Sequence, residues 1–154
     1  MALLRVENLR ISFHDEFQEV KAVDDITFEI QDGRSMAIVG ESGSGKSVTA
    51  LSLSKLVPSP PASYLGGKIL FQGRDVLTLG EKELRQIRGG KIAYIFQEPS
   101  TSLNPVYTIE DQIAEAIALH RPDVKDARAE IVRMLELVGI RNDAERLGDY
   151  PHQL

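Results

Sequence analysis

Gly40-Glu41-Ser42-Gly43-Ser44-Gly45-Lys46-Ser47 is the stretch that decides how the chain is read. It fits the spacing G-x-x-x-x-G-K-[ST] of a phosphate-binding loop. The flanks supply the context the pattern needs. Ser35-Met36-Ala37-Ile38-Val39 is short and apolar, which predicts a buried strand entering the loop. From Lys46 to Val57 there is neither Gly nor Pro, and the apolar residues fall on more than one face. That pattern predicts a helix leaving the loop and buried on most sides. A polyphosphate needs donors packed closely around it. Gly40, Gly43 and Gly45 permit backbone angles and close approaches that a Cβ would block. Their amides, with those of Glu41, Ser42, Ser44 and the residues through Val48, are expected to point inward as an anion nest at a helix start. Lys46 is expected to reach the β- and γ-phosphates, and the Ser47 hydroxyl to bind Mg²⁺. The stretch therefore predicts a protein that binds a nucleoside triphosphate, ATP first among them.

The chain has 154 residues, enough for a domain with a real core. Its net charge of −5 argues against a nucleic-acid-binding surface over the whole domain. With no cysteine, disulfides and thiolate metal sites are excluded. No apolar run approaches the roughly 18 residues of a membrane span. The opening Met1-Ala2-Leu3-Leu4-Arg5-Val6-Glu7 breaks its apolar run too early for a signal peptide. Membrane association is therefore expected to go through a partner.

Leu3 to Phe13 reads as a first strand, and Val20 to Ile30 as its return. Ile26, Phe28 and Ile30 alternate with Thr27 and Glu29, so one face should be apolar. Gln31-Asp32-Gly33 is a turn signal. Pro58, Pro60 and Pro61 predict a loop over 58–63. Gly67 to Phe71 reads as a short strand and Gln72 to Asp75 as a turn. Glu81 to Arg88 reads as a helix ended by Gly89-Gly90. Lys91-Ile92-Ala93-Tyr94-Ile95-Phe96 reads as a second buried strand, followed by the polar loop 97–105 with Pro99 and Pro105. Thr108 is the expected cap of a helix whose face is Ile109, Ile113, Ala116 and Ile117. Asp123 is the expected cap of the next, whose face is Val124, Ala127, Ile131, Leu135 and Val138, with Gly139 as its stop. His120 and His152 have no metal-ligand spacing and are expected at the surface.

Three stretches together carry a resemblance. The phosphate loop, Ile95-Phe96-Gln97-Glu98-Pro99-Ser100-Thr101-Ser102-Leu103-Asn104-Pro105, and Tyr150-Pro151-His152-Gln153-Leu154 resemble an ABC transporter ATPase. They look most like the ATP-binding subunits of bacterial oligopeptide, dipeptide and nickel importers. The resemblance implies an α/β fold of the P-loop NTPase type. Its core would be an antiparallel β subdomain plus a partial parallel sheet over residues 1–107, with a helical subdomain starting over 108–154. It implies that Gln97 positions Mg²⁺ and the attacking water, and relays nucleotide state. Gln97 and Lys46 are thus the expected catalytic residues, and Ser47 and Gln97 the expected Mg²⁺ ligands. An amide that both accepts and donates suits the Gln97 role. Adenine is expected to stack on Phe13, with Ala22 nearby, while His14 and Phe17 compete for that place.

The same resemblance implies partners: transmembrane permease subunits met through 98–105, a second ATPase subunit, and indirectly an extracytoplasmic substrate-binding protein. It implies a peripheral position on the cytoplasmic side of a bacterial inner membrane. Leu154 matches the first residue of the family's signature motif, so a truncated domain is expected, one that binds ATP without efficient turnover. Two rival readings stand beside it. One is a non-transport ABC ATPase acting on nucleic acid or ribosomes. The other is a small P-loop kinase, although Arg128, Arg133 and Arg141 form no obvious phosphate-directed cluster.

Overall fold

A computed structural model describes residues 2–14, 18–97, 102–140 and 143–153. The chain divides into two compact units, Met1–Ile87 and Arg88–Leu154.

The first unit is built on a four-stranded antiparallel sheet of order β2-β1-β3-β4. Its strands are β1 (Ala2–His14), β2 (Glu19–Gln31), β3 (Ala62–Phe71) and β4 (Arg74–Asp75). The β1–β2 hairpin has the expected alternation, with Ile26, Phe28 and Ile30 half-buried and Thr27 and Glu29 exposed. Val6, Leu9 and Ile11 of β1 and Ile69 of β3 are fully buried. The strand expected from Gly67 instead begins at Ala62. Its first residues pair with β1 through Phe13–Ala62 and Ser12–Ser63, so long-range pairing overrides the loop signal of the preceding prolines. Helix α1 spans Lys46–Ser52 and helix α2 spans Glu81–Ile87. Gly89 follows α2 with φ +78°, the left-handed conformation that a helix stop requires.

The two stretches read as buried parallel strands form no ladder. Residues 34–40 have no regular structure, and Met36, Ile38 and Val39 are 42%, 43% and 91% exposed. Of residues 91–96 only Ile92 is bridged, to Arg88, and Ile95 is 98% exposed. Parallel strands are buried in sheets whose two faces are covered, and beyond the Arg88–Ile92 bridge no described residue pairs with either stretch. The parallel part of the expected sheet is therefore absent among the described residues, while the antiparallel part is present.

The second unit packs α3 (Ile109–His120), α4 (Ala127–Leu137) and α5 (Asp143–Arg146) around Ile109, Ile117, Ile131, Leu135 and Leu147. Thr108 caps α3 as expected. It forms a reciprocal capping box in which its hydroxyl accepts from the Asp111 amide. Two expectations are corrected. Asp126, not Asp123, caps α4, its carboxylate accepting from the Ala129 amide at 3.0 Å. Asp123 instead accepts from the Arg121 guanidinium at 2.9 Å. Ala116 and Val138 lie in solvent, and Ala114 and Ile140 pack on the cluster in their place. The side chain of Gln112 accepts from the Asn104 amide at 2.8 Å and donates to the Asn104 and Tyr107 carbonyls, each at 3.0 Å. Residues 102–107 are thereby tied to α3. Among the described residues no helix is long and apolar enough to cross a membrane.

Candidate functional site

The loop at 40–48 is shaped by its backbone before any side chain acts. Gly43 and Gly45 have φ of +80° and +84°, values that L side chains rarely adopt. Gly45 has a second constraint. A Cβ there would lie 2.1 Å from the carbonyl oxygen of Ala22, so strand β2 abuts the end of the loop. The β1–β2 register explains why that carbonyl is available. Ile11 pairs with Val23 and Ser12 with Lys21, leaving Ala22 as an extra residue on β2. Such a bulge breaks the ladder locally and re-aims the backbone. The bulge at Ala22 is thus what seats the loop.

Gly45 is also the N-cap of α1, with no side-chain cap hydrogen bond and no acid in the first turn. The first N–H groups of the helix are therefore not satisfied by a cap, and the positive end of its dipole is not offset by a carboxylate. Lys46 folds back over the loop. Its Nζ donates to the carbonyls of Gly40 at 2.9 Å and Glu41 at 2.6 Å, and lies 3.4 Å from Ser44 Oγ. Ser44 N–H donates to the Glu41 carbonyl at 3.2 Å, closing the turn within the loop. A cavity of about 220 Å³ is lined by Val20, Lys21 and Ala22 on one wall and by Gly43 through Val48 on the other.

Of the predicted site residues, this cavity brings together Ala22, Gly43, Ser44, Gly45, Lys46, Ser47 and Val48. Gly40 lines a second, more apolar cavity of about 390 Å³ with Ile26, Phe28 and Met36 to Val39, which Lys46 also borders. Glu41 and Ser42 are exposed members of the loop. Phe13 is half-buried on β1, opposite Val20, and is not among the residues lining either cavity. His14 pairs with Glu19 at the end of the hairpin, and Phe17 lies outside the described residues. Gln97 is an exposed bend residue of the second unit. In the expected permease-contacting stretch 98–105, residues 98–101 lie outside the described residues. Leu103 and Asn104, with Tyr107, Asp111, Gln112 and Glu115, line a cavity of about 710 Å³ in the second unit. Val20 and Lys21 were missed at the site. Their signal was faint: only the Ala22 bulge, a tertiary feature, brings them to the loop.

Residues 23–154 match the family described as ABC transporter. The chain belongs to the ABC transporter family. Among curated ABC relatives, the chain is 51% identical over 153 residues to the uncharacterized ABC transporter ATP-binding protein YejF of Escherichia coli. The match covers 99% of this chain and 29% of that protein. It is 47% identical to the dipeptide transport ATP-binding protein DppD of Bacillus subtilis, over 98% of this chain and 45% of that one. It is 48% identical to the glutathione import ATP-binding protein GsiA of Salmonella choleraesuis, over 99% and 25%. The chain thus spans less than half the length of these relatives. Among solved ABC structures, the dimeric structure of a bacterial ABC transporter cassette superposes with a TM-score of 0.77 at 20% identity. That superposition covers 98% of this chain and 62% of the other. A post-hydrolysis dimer bound to ADP and Pi superposes with a TM-score of 0.76 at 22% identity. Those likenesses establish the fold of an ABC cassette.

The chemistry of the loop fits a Mg²⁺–triphosphate. Among the described residues no group of three or more His, Asp or Glu could hold a metal. Mg²⁺ does not need such a cage, because it takes one or two protein ligands together with substrate phosphates and water. Ser47, at the start of α1 and in the cavity wall, offers a hydroxyl of the right kind.

Proposed function

We propose that this chain binds ATP with Mg²⁺ at the loop Gly40–Val48, as the ATP-binding subunit of an importer for peptides. The observation that carries the reading is the seated loop. Gly43 and Gly45 are left-handed, Gly45 abuts the bulge of β2, and Lys46 is bonded to the loop's own carbonyls, in a chain of the ABC transporter family. The substrate class is supported by relatives whose names are those of dipeptide and glutathione transport proteins. Lys46 binds the β- and γ-phosphates, exchanging its loop carbonyls for phosphate oxygens. Ser47 and Gln97 hold Mg²⁺, which when bound neutralises phosphate charge. Gln97 also orients the attacking water, and Phe13 with Ala22 contacts adenine. Two ATPase subunits work together. Residues 98–105 meet the permease at the cytoplasmic side of the inner membrane, and a substrate-binding protein delivers the cargo outside.

Thermal denaturation tests the core of this reading. ATP with Mg²⁺ at about 100 times its dissociation constant stabilises the native state by roughly 2.7 kcal/mol. Lys46→Ala removes the fixed cation of the loop, and the shift is expected to vanish. A full shift in Lys46→Ala would overturn the assignment.

A further inference from the structure

Lys21 lies outside the phosphate-loop motif, yet it lines the same cavity as Gly43 to Val48. Its place in the chain is fixed by the fold. The next residue, Ala22, is the bulge whose carbonyl abuts Gly45, so Lys21 stands one residue from the seam between strand and loop. Among the residues lining the cavity, Lys21 and Lys46 are the two with ionised side chains, and both are positive. Lys46 is committed to the loop through the carbonyls of Gly40 and Glu41. Lys21 is held far more loosely. Its Nζ is 3.8 Å from Asp24 Oδ2, with the two side chains 65% and 63% exposed. An exposed, long ion pair of this kind contributes little, so Lys21 can leave Asp24 for a phosphate oxygen at small cost.

The size of the cavity says which part of a nucleotide Lys21 would meet. At about 220 Å³ it is smaller than the roughly 300–1,000 Å³ of sites that enclose a whole small-molecule ligand. A triphosphate anchored by Lys46 therefore extends past the loop, and the wall it extends along is Val20 to Ala22. We infer that Lys21 is a second cationic contact for the nucleotide, binding its α-phosphate end while Lys46 holds the β- and γ-phosphates. Asp24 is the resting partner that Lys21 gives up. The inference rests on the nucleotide-binding reading and adds a residue to it.

The test is ATP and ADP affinity by isothermal titration, with Mg²⁺, for the unsubstituted chain, Lys21→Met, Lys21→Glu, Lys21→Arg and Asp24→Asn. Lys21→Met is expected to weaken ATP and ADP by the same factor, roughly fivefold, because both carry the α-phosphate. Lys21→Glu weakens both further, Lys21→Arg restores binding, and Asp24→Asn leaves it equal or tighter. The Lys21→Met deficit should shrink in high salt, as a screened charge interaction must; a purely structural defect would not. Wild-type affinity in Lys21→Glu overturns this inference and leaves the nucleotide site standing. An equal loss in Lys21→Arg and Lys21→Met, insensitive to salt, also overturns it. No binding by the unsubstituted chain overturns the site and the inference together.

Discussion

Val6, Leu9 and Ile11 in β1 and Ile38, Val39 and Ile95 outside any strand are residues of the same kinds with opposite fates. The first three are fully buried, and the last three are 43%, 91% and 98% exposed. Hydrophobicity does not separate them: the first three lie in a strand paired on both edges, and the last three lie in no ladder. β1 has β2 on one edge and β3 on the other, so its backbone polar groups are satisfied. The stretches at 34–40 and 93–96 have no ladder. The same contrast divides the helices. The first turn of α3 is closed by a capping box, whereas α1 opens on a glycine with no side-chain cap. Where the chain satisfies its own backbone it builds scaffold. At the loop start of α1, donors remain for a ligand.

The largest expected effect sets the paired core against the unpaired run. Ile11→Ala should destabilise the first unit by about 2–5 kcal/mol, the usual cost of truncating a fully buried aliphatic. Val39→Ala and Ile95→Ala should stay within about 0.5 kcal/mol. Urea unfolding of the three variants checks this, and a large loss at Val39 would show that the run is covered in solution.

Caps sharpen the comparison on a smaller scale. Thr108→Ala and Asp126→Ala should each cost about 1 kcal/mol, since each side chain accepts from an amide of a helix first turn. Asp123→Ala should cost less than either, because its pair with Arg121 is an exposed surface contact. Chemical denaturation that ranks Asp123 above Asp126 would reverse the correction drawn at α4.

The smallest effect concerns the scaffold's own charges. Asp25 sits at φ +60° and accepts from the Asn8 amide at 3.0 Å, with Arg10 beside it at 3.2 Å. Those contacts, Asn8 first and then Arg10, hold its carboxyl below the ordinary carboxylate value. The folded value lies below the unfolded one, so its contribution is present above the unfolded pKa. It is lost as pH falls through the folded pKa. Asp25→Asn keeps the tolerance for a left-handed backbone and should flatten the acid limb of a melting-temperature profile as pH falls through and below the ordinary carboxylate range. An unchanged acid limb would remove Asp25 from the account.

Much of this was legible in the residues. The hairpin alternation of Ile26, Phe28 and Ile30, the Thr108 cap, the Gly89 and Gly139 stops and the left-handed Gly43 and Gly45 follow from local chemistry, and local chemistry is written in sequence. The bulge at Ala22 was not legible. It depends on how Ile11 and Ser12 pair across strands, which no local pattern encodes. The strand start at Ala62 was hidden for the same reason, beneath prolines that signal loop. Asp123 and Asp126 are both acceptable caps in isolation; the helix starts at Ala127, with Asp126 as its cap and Asp123 paired with Arg121. The runs at 35–39 and 91–96 carry the composition of buried strands, but composition states a need for cover and does not supply the partner.

Amide hydrogen exchange with and without ATP and Mg²⁺ tests the central claim most directly, because it reports which backbone donors a nucleotide takes up. Protection is expected at residues 43–48, where the N–H groups of the loop and of the α1 start lie, and at 20–22 across the cavity. Residues 109–120 of α3, already satisfied by their own ladder and cap, should change little. Exchange unaltered at 43–48 in saturating ATP, or protection confined to the second unit, would contradict the account.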